Sequence, residues 1–135
     1  MFNIQHVEII LYVANQQQST QFYTNVLGLQ PSLNAPGMTE FVLSESCKLG
    51  LMPNNGIAKI LEDKMPHPES GSGIPRCELY LLVDSIEDYY QKAKHAGATL
   101  ISEIKDRDWG DRACYFADSD GHIIAFAERQ PRRLD

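Results

Sequence analysis

Residues 4–13, IQHVEIILYV, are apolar and β-branched with polar residues early, a pattern that predicts a strand. Asn15 then supplies an N-cap for a helix over 16–27, in which Phe22, Tyr23, Val26 and Leu27 recur at helical spacing. Gly28 ends it, as a C-terminal glycine does. Residues 39–45 and 47–53 predict two strands joined by a tight Ser-rich turn. Asn54-Asn55-Gly56 reads as a turn and 57–61 as a short helix. Residues 62–76, EDKMPHPESGSGIPR, hold three prolines, two glycines and several charges, and predict a linker or long surface loop.

After residue 76 the pattern restarts. Glu78 to Val83 predicts a strand, and Asp84 or Ser85 caps a helix through Ala96, with Tyr89, Ala93 and Ala96 on one side and Gly97 ending it. Strands follow over 98–104, 112–117 and 122–128, the last two separated by the turn Asp118-Ser119-Asp120-Gly121. Val13 and Val83 each end a strand and lead into a capped helix, so the chain carries an internal repeat of strand, helix and three strands. The expected class is α+β, one domain made of two modules at about 1–60 and 76–130.

Composition narrows the function classes. Eighteen acidic against 12 basic side chains give 135 residues a net charge of −6, which leaves no electrostatic footprint for nucleic acid or an anionic membrane. No apolar run approaches the ~18 residues of a membrane span. Met1 to Val13 shows no basic region before an apolar one, so no signal peptide is expected. Cys47, Cys77 and Cys114 are widely spaced and odd in number, and read as free thiols of a cytoplasmic protein. With no CxxC, HxxxH or HExxH, neither a thiolate zinc site nor a helical histidine pair is present. Ser44, Ser46 and Cys47 have no His and acid at a recognisable spacing, and Ser70 to Gly73 has no phosphate-loop pattern.

The string Phe22-Tyr23-Thr24-Asn25-Val26-Leu27-Gly28-Leu29 resembles the helix end of the vicinal oxygen chelate superfamily, which includes glyoxalase I, extradiol dioxygenases and bleomycin resistance proteins. Val83-Asp84-Ser85, Ala96-Gly97-Ala98 and Asp118-Ser119-Asp120-Gly121-His122 resemble the matching places of its second module. Trp109-Gly110-Asp111-Arg112 ahead of a strand is most similar to the bleomycin-resistance and glyoxalase-like branch. The resemblance implies a βαβββ module used twice, in a partly open barrel around a cavity, and a homodimer. Metal-dependent members place one His or Gln, one His and two Glu in that cavity. Those places fall here on Glu8, Gly50, Glu78 and Ala125, two of which have no donor atom, so no metal and no cofactor are expected.

Glu8 shares a strand face with His6, Ile10 and Tyr12, and Glu78 with Arg76, Tyr80 and Leu82. The opposite faces, Val7, Ile9, Leu11 and Val13, then Cys77, Leu79, Leu81 and Val83, are apolar and should pack under helices, which turns both Glu faces to the cavity. Three readings stand for the pair: solvated residues near strand starts, partners of Arg76, Arg107 or Arg112, or carboxylates that contact a ligand. Two carboxylates in one recess raise each other's proton affinity and can share a proton, bind a cation, receive an amine or guanidinium, or act as a base. His6, Tyr12, Phe41, Tyr80, Trp109 and Arg112 complete the candidate ligand-binding set. Trp109 is the single tryptophan, in a charged loop, and reads either as a lid over the core or as a stacking platform. His67 and His95 read as solvated and His122 as off the cavity face. The expected function is binding of a small organic ligand near Glu8 and Glu78 without the usual divalent metal, a cationic ligand being one option. The alternative is a glyoxalase-type lyase, isomerase or dioxygenase.

Overall fold

A computed structural model describes residues 2–130. The chain divides into two compact units, 1–72 and 73–135, each built on an open four-stranded mixed sheet.

In the first unit, β1 (Val7–Val13) leads into α1 (Gln16–Leu27), followed by β2 (Leu33–Ala35), β3 (Met38–Ser44), β4 (Cys47–Pro53) and α2 (Asn54–Leu61). The sheet order is β1-β4-β3-β2, with β1 parallel to β4 and the other pairs antiparallel. The Asn15 carboxamide oxygen accepts from the Gln18 N–H at 2.9 Å, and Gly28 closes α1 at φ 67, so both predicted caps form. One face of the sheet lies under α1 and carries the fully buried Phe41, Leu49, Leu51, Val13 and Thr39. The Thr39 hydroxyl is held by Gln16 Nε2 at 3.0 Å and the Thr20 hydroxyl at 2.8 Å, which satisfies a polar group inside that apolar layer.

Three expectations change here. Asn54-Asn55-Gly56 is the first turn of α2 rather than a turn before it, since Ile57 is buried and needs the helix to start earlier. The loop after residue 61 contains two 3-10 turns, 62–64 and 68–71, the second tied back to α2 by the His67–Asn55 side-chain bond of 3.0 Å. On β1, Leu11 and Val13 are buried as expected, but Val7 and Ile9 are 49% and 38% exposed because β1 is the sheet edge and α1 rests on β3 and β4.

The second unit repeats the plan with β5 (Glu78–Leu82), α3 (Ile86–His95), β6 (Thr99–Asp106), β7 (Asp111–Ala117) and β8 (Ile123–Arg129). The order β5-β8-β7-β6 again places the first and last strands side by side in parallel. Leu79, Cys114, Phe116, Ile124 and Phe126 face α3, where Tyr89 meets Phe126 and Tyr90 meets Phe116 at ring separations of 5.2 and 5.5 Å. Gly121, at φ +88 in the turn before β8, lies so close to Gly73 that an added Cβ would stand 2.6 Å from the Gly73 Cα. The Gly73 N–H donates to the Asp120 carbonyl at 2.8 Å, fixing the approach to β5. Among the described residues, no helix is long and apolar enough to cross a membrane.

Candidate functional site

Strand parity separates the candidate residues within each unit. On the first sheet, Glu8, Ile10 and Tyr12 of β1 share the face away from α1 with Lys48 and Gly50 of β4 and Glu40 of β3. Register places Ile10, Gly50 and Glu40 in one row across β1, β4 and β3. Glu8, one pleat back, leans into that row, its Oε2 2.7 Å from where a Gly50 Cβ would stand, and hydrogen-bonds the Glu40 carboxyl. Lys48 Nζ sits 3.6 Å from Glu40 Oε1. Burial raises the Glu8 carboxyl above its ordinary range, the Glu40 hydrogen bond and charge add to this, and the Lys48 ammonium opposes it. Two carboxyl groups therefore meet beside an ammonium, an arrangement that strengthens the hold of Glu8 on its proton.

Glu40 was not among the residues expected from sequence. In Thr-Glu-Phe it reads as the solvent-facing position of an alternating strand; the signal for its role is Gly50, a glycine inside an apolar strand. His6 precedes β1 and is exposed, and Tyr12 lies two residues beyond Ile10 on the Glu8 face. Phe41, expected at the ligand, is instead fully buried on the α1 side, because strand parity turns it away from Glu40.

On the second sheet, Glu78, Tyr80 and Leu82 share the face away from α3 with Ala125, Ala127, Asp111, Ala113 and Tyr115. Tyr80 O–H donates to Asp111 Oδ2 at 2.6 Å and accepts from Trp109 Nε1–H at 2.8 Å. Asp111, 5% exposed, also faces the Arg129 guanidinium at 3.8 Å. Burial raises the Tyr80 hydroxyl above the ordinary phenol range; the Asp111 hydrogen bond adds to this and the Trp109 N–H opposes it. Trp109 is 58% exposed, so the indole is anchored by its N–H while its ring remains open to solvent. Tyr115 is raised by burial and by the charge of Glu78, and carries the Arg107 guanidinium 5.1 Å above its ring. Arg107 is fixed there by the Ala113 carbonyl at 2.8 Å and the Ser102 hydroxyl at 3.0 Å. Glu78 is exposed at the start of β5.

Arg112, expected at the ligand, lies one residue out of phase with this face. It pairs with Glu87 of α3 at 3.0 Å and with Glu128 at 3.8 Å, on the helix-bearing side. Its neighbour Asp111 stands on the face away from α3, where Tyr80 donates to it; in sequence Asp111 reads as part of a charged loop.

The residues at the four inferred metal positions do not fit a tightly held divalent metal. In the first unit the Glu8 carboxyl fills the side-chain space of Gly50 and is engaged with Glu40 beside a lysine. In the second, Ala125 is fully buried and stands in register between Tyr80 and Tyr115. No imidazole or thiolate belongs to either set. Among the described residues, Asp118, Asp120 and His122 bring ligand atoms within 4.8 Å of one another, but Asp118 Oδ1 is the cap of its own turn, accepting from the Asp120 and His122 N–H groups at 3.0 and 2.8 Å.

The fold is shared with solved structures. A glyoxalase/bleomycin resistance protein/dioxygenase from Nocardioides superposes with a TM-score of 0.75 at 20% identity, covering 100% of this chain and 92% of that one. A glyoxalase-related enzyme from Fulvimarina pelagi gives 0.78 at 20% identity, covering 93% and 89%. In sequence, an uncharacterized protein of Mycobacterium tuberculosis is 30% identical over 135 residues, spanning 81% of this chain and 79% of that protein. Residues 3–126 match the Glyoxalase/Bleomycin resistance protein/Dioxygenase superfamily, and the chain belongs to that family.

Proposed function

We propose that the protein binds a small organic cation, an amine or guanidinium compound, and that the Glu8–Glu40 pair on the first sheet receives the charged group. The observation that carries this reading is the meeting of the Glu8 and Glu40 carboxyl groups across Gly50: a bound cation lets both ionise without mutual repulsion. Tyr12 on the same strand and His6 just before it supply further contacts. Taken by itself, the second sheet presents Tyr80 and the anchored, open Trp109 ring, an aromatic surface that suits an organic ligand, with Glu78 on the same face. The three free thiols suit a reducing compartment, and we place the protein in the cytoplasm, as a homodimer.

The test compares phenethylammonium with the neutral phenethyl alcohol by calorimetry. The ammonium should bind at least about tenfold more tightly, equivalent to ~1.4 kcal/mol, and Glu8→Gln should remove the difference. Because the proton competes with the cation, ammonium affinity should rise with pH as the pair ionises, while alcohol affinity stays level. Equal affinities for the two probes would overturn the proposal. A second reading, a glyoxalase-type lyase, isomerase or dioxygenase, draws on the same Glu8, since a carboxyl whose hold on its proton is strengthened suits general acid–base work. Metal analysis of protein prepared without a metal-affinity tag separates the metal-dependent form of that reading, which requires a stoichiometric ion that survives dialysis.

A further inference from the structure

Gly50 has no conformational reason to be glycine. Its backbone is not in the left-handed region, and the irregularity between β3 and β4 falls at Val42/Ser44, away from it. Glycine inside a strand is unfavourable relative to alanine, and where it is neither a bulge nor a positive-φ position it marks close approach of another group. Here that group is identified. The place of the absent side chain is taken by the tip of Glu8, 2.7 Å away, with Ile10 Cγ1 at 3.1 Å and Met38 Sδ at 3.3 Å around it.

Glu8 and Glu40 stand on β1 and β3, with β4 between them. Neighbouring strands lie ~4.8 Å apart, so side chains on β1 and β3 are separated by about 9–10 Å and normally meet only the residue of the strand between. At Gly50 nothing stands between them. Lys48, one pleat away on β4, reaches the same Glu40 from the side and flanks the slot.

We infer that Gly50 is the positioning residue of the candidate site: its missing side chain opens a slot across β4 through which Glu8 reaches Glu40, and so creates the carboxyl pair that recognises the ligand's cationic group. The inference deepens the function proposed above and rests on it only for the ligand class. An alanine at 50 meets mainly the end of a flexible side chain, so the strand can keep its place while Glu8 is pushed out of the row.

The experiment is Gly50→Ala, with Glu8→Gln and Glu40→Gln as references and Glu87→Gln as a surface control. The first readout is the infrared carbonyl band of protonated carboxyl groups, followed as the pH is lowered, a signature that a purely structural glycine would not control. The band should begin to appear at higher pH in the native protein and in Glu87→Gln than in Gly50→Ala, Glu8→Gln and Glu40→Gln. The second readout is phenethylammonium affinity, which should fall in Gly50→Ala by as much as in Glu8→Gln, about tenfold, while the thermal midpoint stays near native. A crystal structure of Gly50→Ala should show Glu8 rotated away from Glu40. A native band that appears no earlier than that of Glu8→Gln, or an unchanged early onset in Gly50→Ala, would overturn the inference. Loss of the early onset in Gly50→Ala combined with no preference for ammonium in the native protein would uphold the slot and refute the cation-binding reading alone.

Discussion

Replacing Gly121 by alanine tests how the approach to the second sheet is held. Two penalties follow from the structure. At φ +88 an L-residue is strained, by about 1–2 kcal/mol. The new methyl would also stand 2.6, 2.9 and 3.0 Å from the Cα, C and N of Gly73, which are backbone atoms and cannot rotate aside. Moving them threatens the 2.8 Å bond from the Gly73 N–H to the Asp120 carbonyl, and overpacking of this kind costs about 1–3 kcal/mol. The expected total is about 2–5 kcal/mol. Gly97→Ala is the control, since Gly97 has φ +89 but open space around it, so it should lose only the conformational part, about 1–2 kcal/mol. Urea unfolding of both variants, read by circular dichroism, gives the difference, and hydrogen exchange at the Gly73 amide reports the lost bond. Equal destabilisation of the two variants would refute the steric argument, as would unchanged protection of the Gly73 amide in Gly121→Ala.

Two further outcomes follow from single side chains. Tyr80→Phe removes both partners from the Asp111–Trp109 bridge and leaves a buried carboxylate short of a donor; unfolding stability should drop by about 1–3 kcal/mol and Trp109 fluorescence should shift, and unchanged emission would show that the indole is not anchored there. Burial pushes the Cys114 thiol up to about 11, so at neutral pH a thiol reagent should label the exposed Cys77 rapidly and Cys114 only after denaturation, as mass mapping of the labelled peptides will show.

The elements were legible where local chemistry and burial agree. Asn15 and Gly28 cap α1 where the pattern placed them, and β5 and α3 repeat the strand–helix order of β1 and α1, although Ser85 ahead of α3 makes no side-chain cap bond. β2 escaped notice because three residues, Leu33–Ala35, are too few to show an alternation, and the strand exists through its pairing with β3. For the site, parity along β1 and β5 put Glu8 and Tyr80 on the sheet faces away from the helices, a property of one strand. Glu40 and Asp111 depend on which strand lies two positions away or which loop folds back, information held in the register. Phe41 and Arg112 differ for the same reason: composition suggests a ligand contact, and one step of parity places each on the helix side of its sheet.

The parallel pairing of first and last strands has a consequence for synthesis of the chain. Val7 pairs with Cys47 and Glu78 with Ile123, so each sheet gains its edge only after everything between has been made. While the nascent chain lengthens, β1 and then β5 wait with unsatisfied backbone groups and open apolar side chains, the condition under which strands pair wrongly or aggregate. Closing so long a loop before any ladder bond rewards it slows folding. The first unit can complete its sheet while the second is still being translated, whereas β5 gains no partner until Ile123–Arg129 has emerged. Folding yield in the cell should therefore be most sensitive to delays between β5 and β8.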